Sequence, residues 1–576
     1  MNRFFAGIKT VLLVLMLILS FYVIQGVQAK VPDQKELNSI KLARKDAVHR
    51  KRRIIFNNDG DDVTSYAKKA TPESLLDTRT TGLVGTQVDT IVYNTAYCFG
   101  NVLHRTKVGT TFTCKEGLFS NNKVEDFLEQ GTDSLQIIVD FCRKNNIEVF
   151  WSMRMNDIHD GQTSETAALM LPKFKKDHPE LLMGSKDNPP KIDYWTSVDY
   201  SHQEIRDMAF KFIQEVCENY DVDGVNLDFF RHMPFFKSVA MGQSATQEDL
   251  DKMTDLMCQI RRMADKVGAK RGRPILIAVR VPDSVGYCNA SGFDIVRWME
   301  QDLIDILVVT GYFRLNPWEV SVELGHKYGI PVYPSLDEGR WLDEEASAIR
   351  NSMECLRGRA AIAWHSGADG ICTFNFWGTD GQLKAENISI CNEIGEQRTL
   401  MAVDKVYTTG ARSLDSANRF LAGGDRFINR SILSPEQPKK LKPGESTNVE
   451  LCVAENVQEA RRQGAVPDFK LLLRFDKQIN VEEISVRLSN DLLDNDGSRS
   501  GVWAKHPASL DGIVPPSIDS KSSVWVEYAV NPDRLKQGVN SVAITLKSES
   551  NAELILQDIL LLVRYHNSEH ASAVSN

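Results

Sequence analysis

Tyr220-Asp221-Val222-Asp223-Gly224-Val225-Asn226-Leu227-Asp228-Phe229-Phe230-Arg231 is the stretch whose reading decides the fold. An amphipathic helix over 201–220 runs into it, with Ile205, Met208, Phe212, Ile213 and Val216 on one face. Gly224 ends that helix, residues 225–227 read as a short buried strand, and Asp228 stands where the strand should stop. A carboxylate at the C-terminal end of a buried parallel strand is costly unless it is paired or used. Asp221 and Asp223 precede the strand and belong to its opposite end, while Asp228 and Arg231 face whatever chemistry the fold carries.

Outward from this stretch the same unit recurs: a short β-branched run, a polar loop, an amphipathic helix. Residues 53–56, 90–93, 147–151, 225–227, 275–279, 304–309, 331–334 and 370–374 read as strands. Helices are expected over 134–144, 201–220, 249–268, 293–301, 317–328 and 344–363. Eight alternations predict an α/β chain built on a (β/α)8 TIM barrel over 51–400. No GxGxxG follows the first strand, which argues against an open doubly wound sheet. Beyond about residue 400 helices thin out, and β-like segments at 448–453, 469–475, 481–488, 523–529, 541–546 and 553–564 predict an all-β sandwich over 401–567.

The flanks carry other signals. Arg3 and Lys9, an apolar run from Val11, and Val27-Gln28-Ala29 have the layout of a signal peptide over 1–29. The expected destination is outside the cell or in a bacterial periplasm, with no stable membrane insertion after cleavage, because the apolar run is short for a span. Residues 30–50 read as a polar leader and 568–576 as a disordered tail. The 576 residues carry 42% hydrophobic and 25% charged side chains and a formal net charge of −9, without the basic balance of a nucleic-acid-binding surface. The ten cysteines are irregularly spaced. Cys98 and Cys114 flank one loop and form the best disulfide candidate, and no zinc-like ligand spacing is present.

The strand ends are polar in a way that stability does not require. They carry Asn57 and Asp59; Asn94 and Tyr97; Arg154, Asn156 and Asp157; Asp228 and Arg231; Arg280; Tyr312; Asp337 and Glu338; and Asn375 and Trp377. In a parallel barrel these ends converge on one face. Asn, Asp and Arg side chains can bond sugar hydroxyls, and Trp151, Tyr312, Trp341 and Trp377 offer flat platforms for sugar rings. Glycosidic cleavage needs two carboxyl groups flanking one bond. Asp228 is the first candidate and Glu338 the second, with Asp337 and then Asp157 as competitors. Against this, Asp228 could pair structurally with Arg231, Arg154 or Arg280, Asp157 could cap a turn with His159, and His232 beside aromatic residues reads as structural. Few histidines sit at strand ends, so neither a metal nor a cofactor is expected. Asp494-Asn495-Asp496-Gly497 lacks the later ligands of a calcium loop and reads as a turn.

The run from His202-Gln203-Glu204-Ile205-Arg206 through Arg231 resembles the bacterial glycosyl hydrolase-like family ten proteins. So do Met155-Asn156-Asp157-Ile158-His159-Asp160 and His178-Pro179-Glu180-Leu181-Leu182-Met183-Gly184. The resemblance spans about residues 50–380 and implies a barrel, secretion and a role in glycan breakdown. The strand that ends in Leu227-Asp228 lacks the Asn-Glu of the largest barrel glycosidase clan and looks more like α-galactosidase-type barrels, where an Asp on this strand is the nucleophile. The expectation is therefore a secreted glycoside hydrolase acting on a poly- or oligosaccharide. Its rival is a non-catalytic glycan-binding protein on the same scaffold.

Overall fold

The computed structural model describes residues 32–336, 341–410, 417–489, 491–493, 498–504, 506–518, 524–548 and 553–567. The expected signal segment, the C-terminal tail, Asp337, Glu338 and the Asp494–Gly497 turn lie outside them.

All eight expected strands are present: β1 (Ile54–Asn58), β2 (Val88–Asn94), β3 (Glu148–Arg154), β4 (Gly224–Asp228), β5 (Leu276–Val281), β6 (Ile306–Val309), β7 (Val332–Pro334) and β8 (Ile371–Phe374). They form one eight-stranded parallel sheet in the order β7-β6-β5-β4-β3-β2-β1-β8. A parallel bridge between Ser335 and Cys372 joins the two ends, with Leu336 N donating to Cys372 O at 2.9 Å, so the sheet closes on itself.

Strand side chains alternate between two cores. Ile55, Val92, Phe150, Ala278, Val308, Tyr333 and Cys372 fill the interior. Phe56, Tyr93, Trp151, Val225, Leu227 and Val279 face outward. Outside lie α1 (Gln34–Val48), α2 (Pro72–Arg79), α3 (Ser134–Lys144), α4 (Gln203–Asn219), α5 (Gln247–Arg271), α6 (Ile295–Glu300), α7 (Trp318–Lys327), α8 (Glu344–Asn351) and α9 (Met353–His365).

Three expectations change here. The 30–50 stretch is not a solvated leader: a capping box at Asp33 and Glu36 opens α1, which buries Ile40, Arg44 and Val48 at intervals of four. Val48 joins the interior core, and Arg44 bonds Asp302 and reaches Asp305 at 3.3 Å, so α1 lies at the N-terminal end of the strands. Gly224 is not a helix breaker, because α4 already stops at Asn219. It is the first residue of β4, where a Cβ would come within 2.6 Å of the Phe150 ring and 2.7 Å of Leu276 O. All ten cysteines are free thiols, Cys98 and Cys114 included.

Asp221 and Asp223 fall at the N-terminal end, as expected, tied to Arg143 and Arg273. After the barrel, β9 (Lys405–Thr408), β10 (Lys439–Leu441), β11 (Ser446–Val453), β12 (Ala465–Phe475), β13 (Ile484–Leu488), β14 (Asp491–Leu492), β15 (Arg499–Trp503), β16 (Val524–Val530), β17 (Gly538–Leu546) and β18 (Leu554–Asn567) form two antiparallel sheets. One runs β9-β18-β12-β16-β15, with β10 also on β18, and the other β11-β17-β13-β14.

Candidate active site

Register decides what the strand ends present. Arg154, Asp228 and Arg280 are direct neighbours across β3, β4 and β5. A carboxylate buried at this level needs a cation beside it, and the top layer of the interior is accordingly ionic. Asp228 Oδ1 accepts from Arg280 Nε at 3.0 Å and from Phe230 N at 3.0 Å, and Oδ2 accepts from Arg280 Nη2 at 3.0 Å. The Arg280 guanidinium lies over the Phe374 ring, 4.0 Å from its centroid. Both Asp228 oxygens are thus already engaged.

Arg154 reaches the other way. Its Nη2 lies 2.9 Å from Asp59 Oδ1, just past β1, and its Nη1 donates to Asp157 Oδ2 at 2.9 Å, just past β3. Asp59 also receives the Asn57 amide at 3.4 Å and lies 3.6 Å from Arg231 Nη2. With its amide nitrogen turned toward the carboxylate, Asn375 donates to both Asp59 oxygens, at 3.1 and 2.9 Å. Burial alone would raise the Asp59 pKa, but Arg154 and Arg231 outweigh it and hold the carboxyl well below its usual range. Asp157 is likewise buried and held ionised, by His159 and Arg154.

Two histidines complete the group. His159 Nδ1 lies 2.5 Å from Asp157 Oδ1, and Arg231 Nη2 is 3.4 Å from His159 Nε2. The His232 ring stands perpendicular to that of His159 with centroids 4.9 Å apart, its Nε2 3.9 Å from Asp157 Oδ1. Burial first, then the neighbouring His159 and Arg231, push the His232 pKa well down. Arg231 also bonds the Tyr312 hydroxyl and lies near the Phe374 ring, 5.4 Å from its centroid. Backbone strain sits on the same rim: Thr310 and Asn375, each one residue past a strand, have φ of 71° and 50°.

Asn57, Asp59, Arg154, Asp157, Asp228, Arg231, Arg280 and Tyr312 therefore converge as the sequence suggested. Other expected residues serve the scaffold. Asn94 bonds the backbone oxygens of Asp59 and Ala96, and Asn156 bonds Val198 and Pro234. Trp151 faces the helix layer by strand alternation and donates to Thr95 Oγ1 at 2.6 Å, so it offers no platform. Trp341 packs on Arg350, 4.2 Å from ring centroid to guanidinium, beside Asp558 of β18. Trp377 stacks on Arg79 at 3.7 Å and lines a cavity of about 630 Å³ with Leu336, Phe374, Asn375, Phe376 and Glu386. In the sequence His232 reads as a structural histidine beside aromatic residues and His159 as a turn-capping partner of Asp157, and no spacing rule links residues that follow β3 and β4. The one available signal was that each closely follows a charged strand-end residue.

No family model matches this chain, and no curated protein does. Solved structures with distant similarity include the PgaB (BpsB) glycoside hydrolase domain from Bordetella bronchiseptica (9% identity, TM-score 0.40, 60% of this chain and 99% of that one). Others are α-L-fucosidase isoenzyme 2 from Paenibacillus thiaminolyticus (13%, 0.38, 59% and 48%) and a cycloisomaltooligosaccharide glucanotransferase from Paenibacillus sp. (9%, 0.31, 88% and 57%). This chain spans about half the length of the last two. Identity and superposition are too low to carry a residue role or a substrate across.

Proposed function

We propose that this protein is a glycoside hydrolase that cleaves a poly- or oligosaccharide outside the cytoplasm, by a mechanism using two carboxyl groups. The observation that carries the reading is Asp59, a partly exposed carboxylate held ionised at the C-terminal mouth of a parallel barrel and linked through Asn375 to a cavity with aromatic walls. The adjoining cavity, with Trp377 and Phe376 on its wall, suits a sugar ring.

Asp59 takes the role of nucleophile or general base. Its side chain is 10% exposed, against 3% for Asp228 and 0% for Asp157, and Asn375 links it to the cavity wall. Asp228 acts through Arg280 as a positioning residue. Because Asp59 and Asp157 are held ionised, neither donates a proton. Glu338, with Asp337 as its competitor, is the proposed general acid on sequence grounds, two residues beyond the cavity-lining Leu336. Export rests on the signal-like residues 1–29, and N-terminal sequencing of the mature protein should begin at Lys30.

The rival reading, a non-catalytic glycan binder, is favoured by a specific observation: Asp59, Asp157 and Asp228 are each already paired with arginine. A glycan panel read by new reducing ends separates the two. Asp59→Asn should lower turnover on the cleaved glycan by on the order of 10³-fold. Wild-type turnover in that variant refutes the role of Asp59. Glycan binding without cleavage by the wild type establishes the rival.

A further inference from the structure

We propose that Asp157, His159 and His232 form a binding site for a divalent transition-metal ion of the zinc class. One ligand atom from each lies within 4.8 Å of the other two. Two imidazoles and one carboxylate are the donor set such ions take, and three protein donors leave a position open for water or a substrate hydroxyl. The inference does not rest on the glycosidase reading.

The second observation is His232 itself. Its side chain is 11% exposed, and neither ring nitrogen has a hydrogen-bond partner among the described residues. Buried polar atoms are almost always satisfied, and an exception calls for a water or an ion. His159 is 27% exposed, so the group is reachable from solvent.

The surrounding charge narrows the ion. Asp59 and Asp157 face Arg154 and Arg231, which cancel formally. A hard ion such as Ca²⁺ or Mg²⁺ needs a surplus of carboxylate oxygen and finds none here. A borderline ion is held by its bonds to nitrogen instead. Arg154 holds Asp157 Oδ2 at 2.9 Å, which orients Oδ1 toward both imidazoles and supplies the outer partner that metal carboxylates use. On binding, the ion takes the place of the proton between His159 Nδ1 and Asp157 Oδ1. A neutral His159 then carries its proton on Nε2 and gives up the long 3.4 Å contact to Arg231.

The test uses the full mature protein. Titration with ZnCl₂ followed calorimetrically should show one equivalent bound, and MgCl₂ and CaCl₂ none. CoCl₂ should give visible d–d bands without thiolate charge-transfer bands, since the site contains no cysteine. His232→Phe keeps the ring packing and removes the donor. His159→Ala removes a partly exposed one. Each should weaken binding by at least the roughly 10–100-fold that even outer partners are worth. No stoichiometric uptake by the wild type, thiolate bands in the cobalt spectrum, or unchanged uptake in the double variant overturns the proposal. The wild-type spectrum decides the question even if a variant fails to fold.

Discussion

Arg154 holds two buried carboxylates at once, and its removal shows how much of the site is electrostatic. Arg154→Met should cost about 3 kcal/mol, because it removes the cation that Asp59 and Asp157 share and leaves them only Arg231 and His159. The pH dependence has a definite sign. Both carboxyls are depressed in the folded state, so their contribution is present above the unfolded carboxylate pKa and is lost as pH falls through the folded value. In Arg154→Met the folded values rise, and urea midpoints should begin to fall at a higher pH than in wild type. His104 acts over a different window. Burial lowers its pKa to about 4, with Asp133 partly opposing. A histidine depressed when folded takes up its proton more readily when unfolded, so stability drops as pH falls from about 6.5 toward about 4. His104→Phe preserves the edge contacts to Trp151 and Tyr220 and should flatten the urea-midpoint profile across that window by up to about 3 kcal/mol. At this scale the sequence was half legible. Strand-end position identified Asp59, Arg154, Asp157, Arg231 and Arg280 because parallel strands bring their ends together. It misread Trp151, because one step along a strand reverses the facing of a side chain. It did not foresee that Asp228 would spend both oxygens on Arg280 and Phe230, since pairing depends on register across strands.

Glycines mark where elements approach most closely. Gly60 follows Asp59 with φ of +74°, and a Cβ there would stand 1.7 Å from Asn94 O. Gly60→Ala meets a strained backbone and a clash with main chain that cannot move aside. It should lose at least about 2 kcal/mol in chemical denaturation. It should also displace Asp59, so turnover falls more than stability alone explains. If turnover per folded molecule is unchanged, the turn does not set the Asp59 position. Gly60 N donates to Asn58 Oδ1 at 3.0 Å, and the same oxygen accepts from Arg79 Nη1 at 3.3 Å, so one asparagine ties the turn to α2. Elements were the most legible level, because strand and helix periods are local. Failures came where tertiary contact overrode local reading. Residues 344–363 were read as one helix but divide at Ser352, whose hydroxyl accepts from Cys355 N to cap α9. The basic residues of 30–50 masked a helix whose Arg44 is buried against Asp302 and Asp305.

Across the whole molecule, the barrel and the later antiparallel sheets are joined by buried charge. Arg350 of α8 donates to both Asp558 oxygens of β18 at 2.8 Å, and Trp341 lies over the same guanidinium. Arg474 of β12 reaches Asp343 at 2.8 and 3.0 Å and Glu345 at 3.2 Å, and Glu345 also accepts from Trp525 of β16 at 3.1 Å. Helix α9 comes so close to β9 that a Cβ on Gly358 would stand 2.3 Å from Val406 O. These contacts fit sheets that buttress the barrel, and they explain why Trp341, counted from sequence as a sugar platform, is turned to the seam. The chain's order of strands announced two units, but nothing local announced which side chains would meet between them. The expected consequence is one cooperative unfolding transition. Asp558→Leu alone leaves Arg350 as an unpaired buried cation and should cost about 3–5 kcal/mol, while Arg350→Met with Asp558→Leu should recover most of that loss. Calorimetry distinguishes the alternatives. A single peak that shifts down in Asp558→Leu and returns in the double variant means the seam couples the two units. Two peaks, of which Asp558→Leu moves only one, would mean that the sheets fold independently and leave the barrel unsupported.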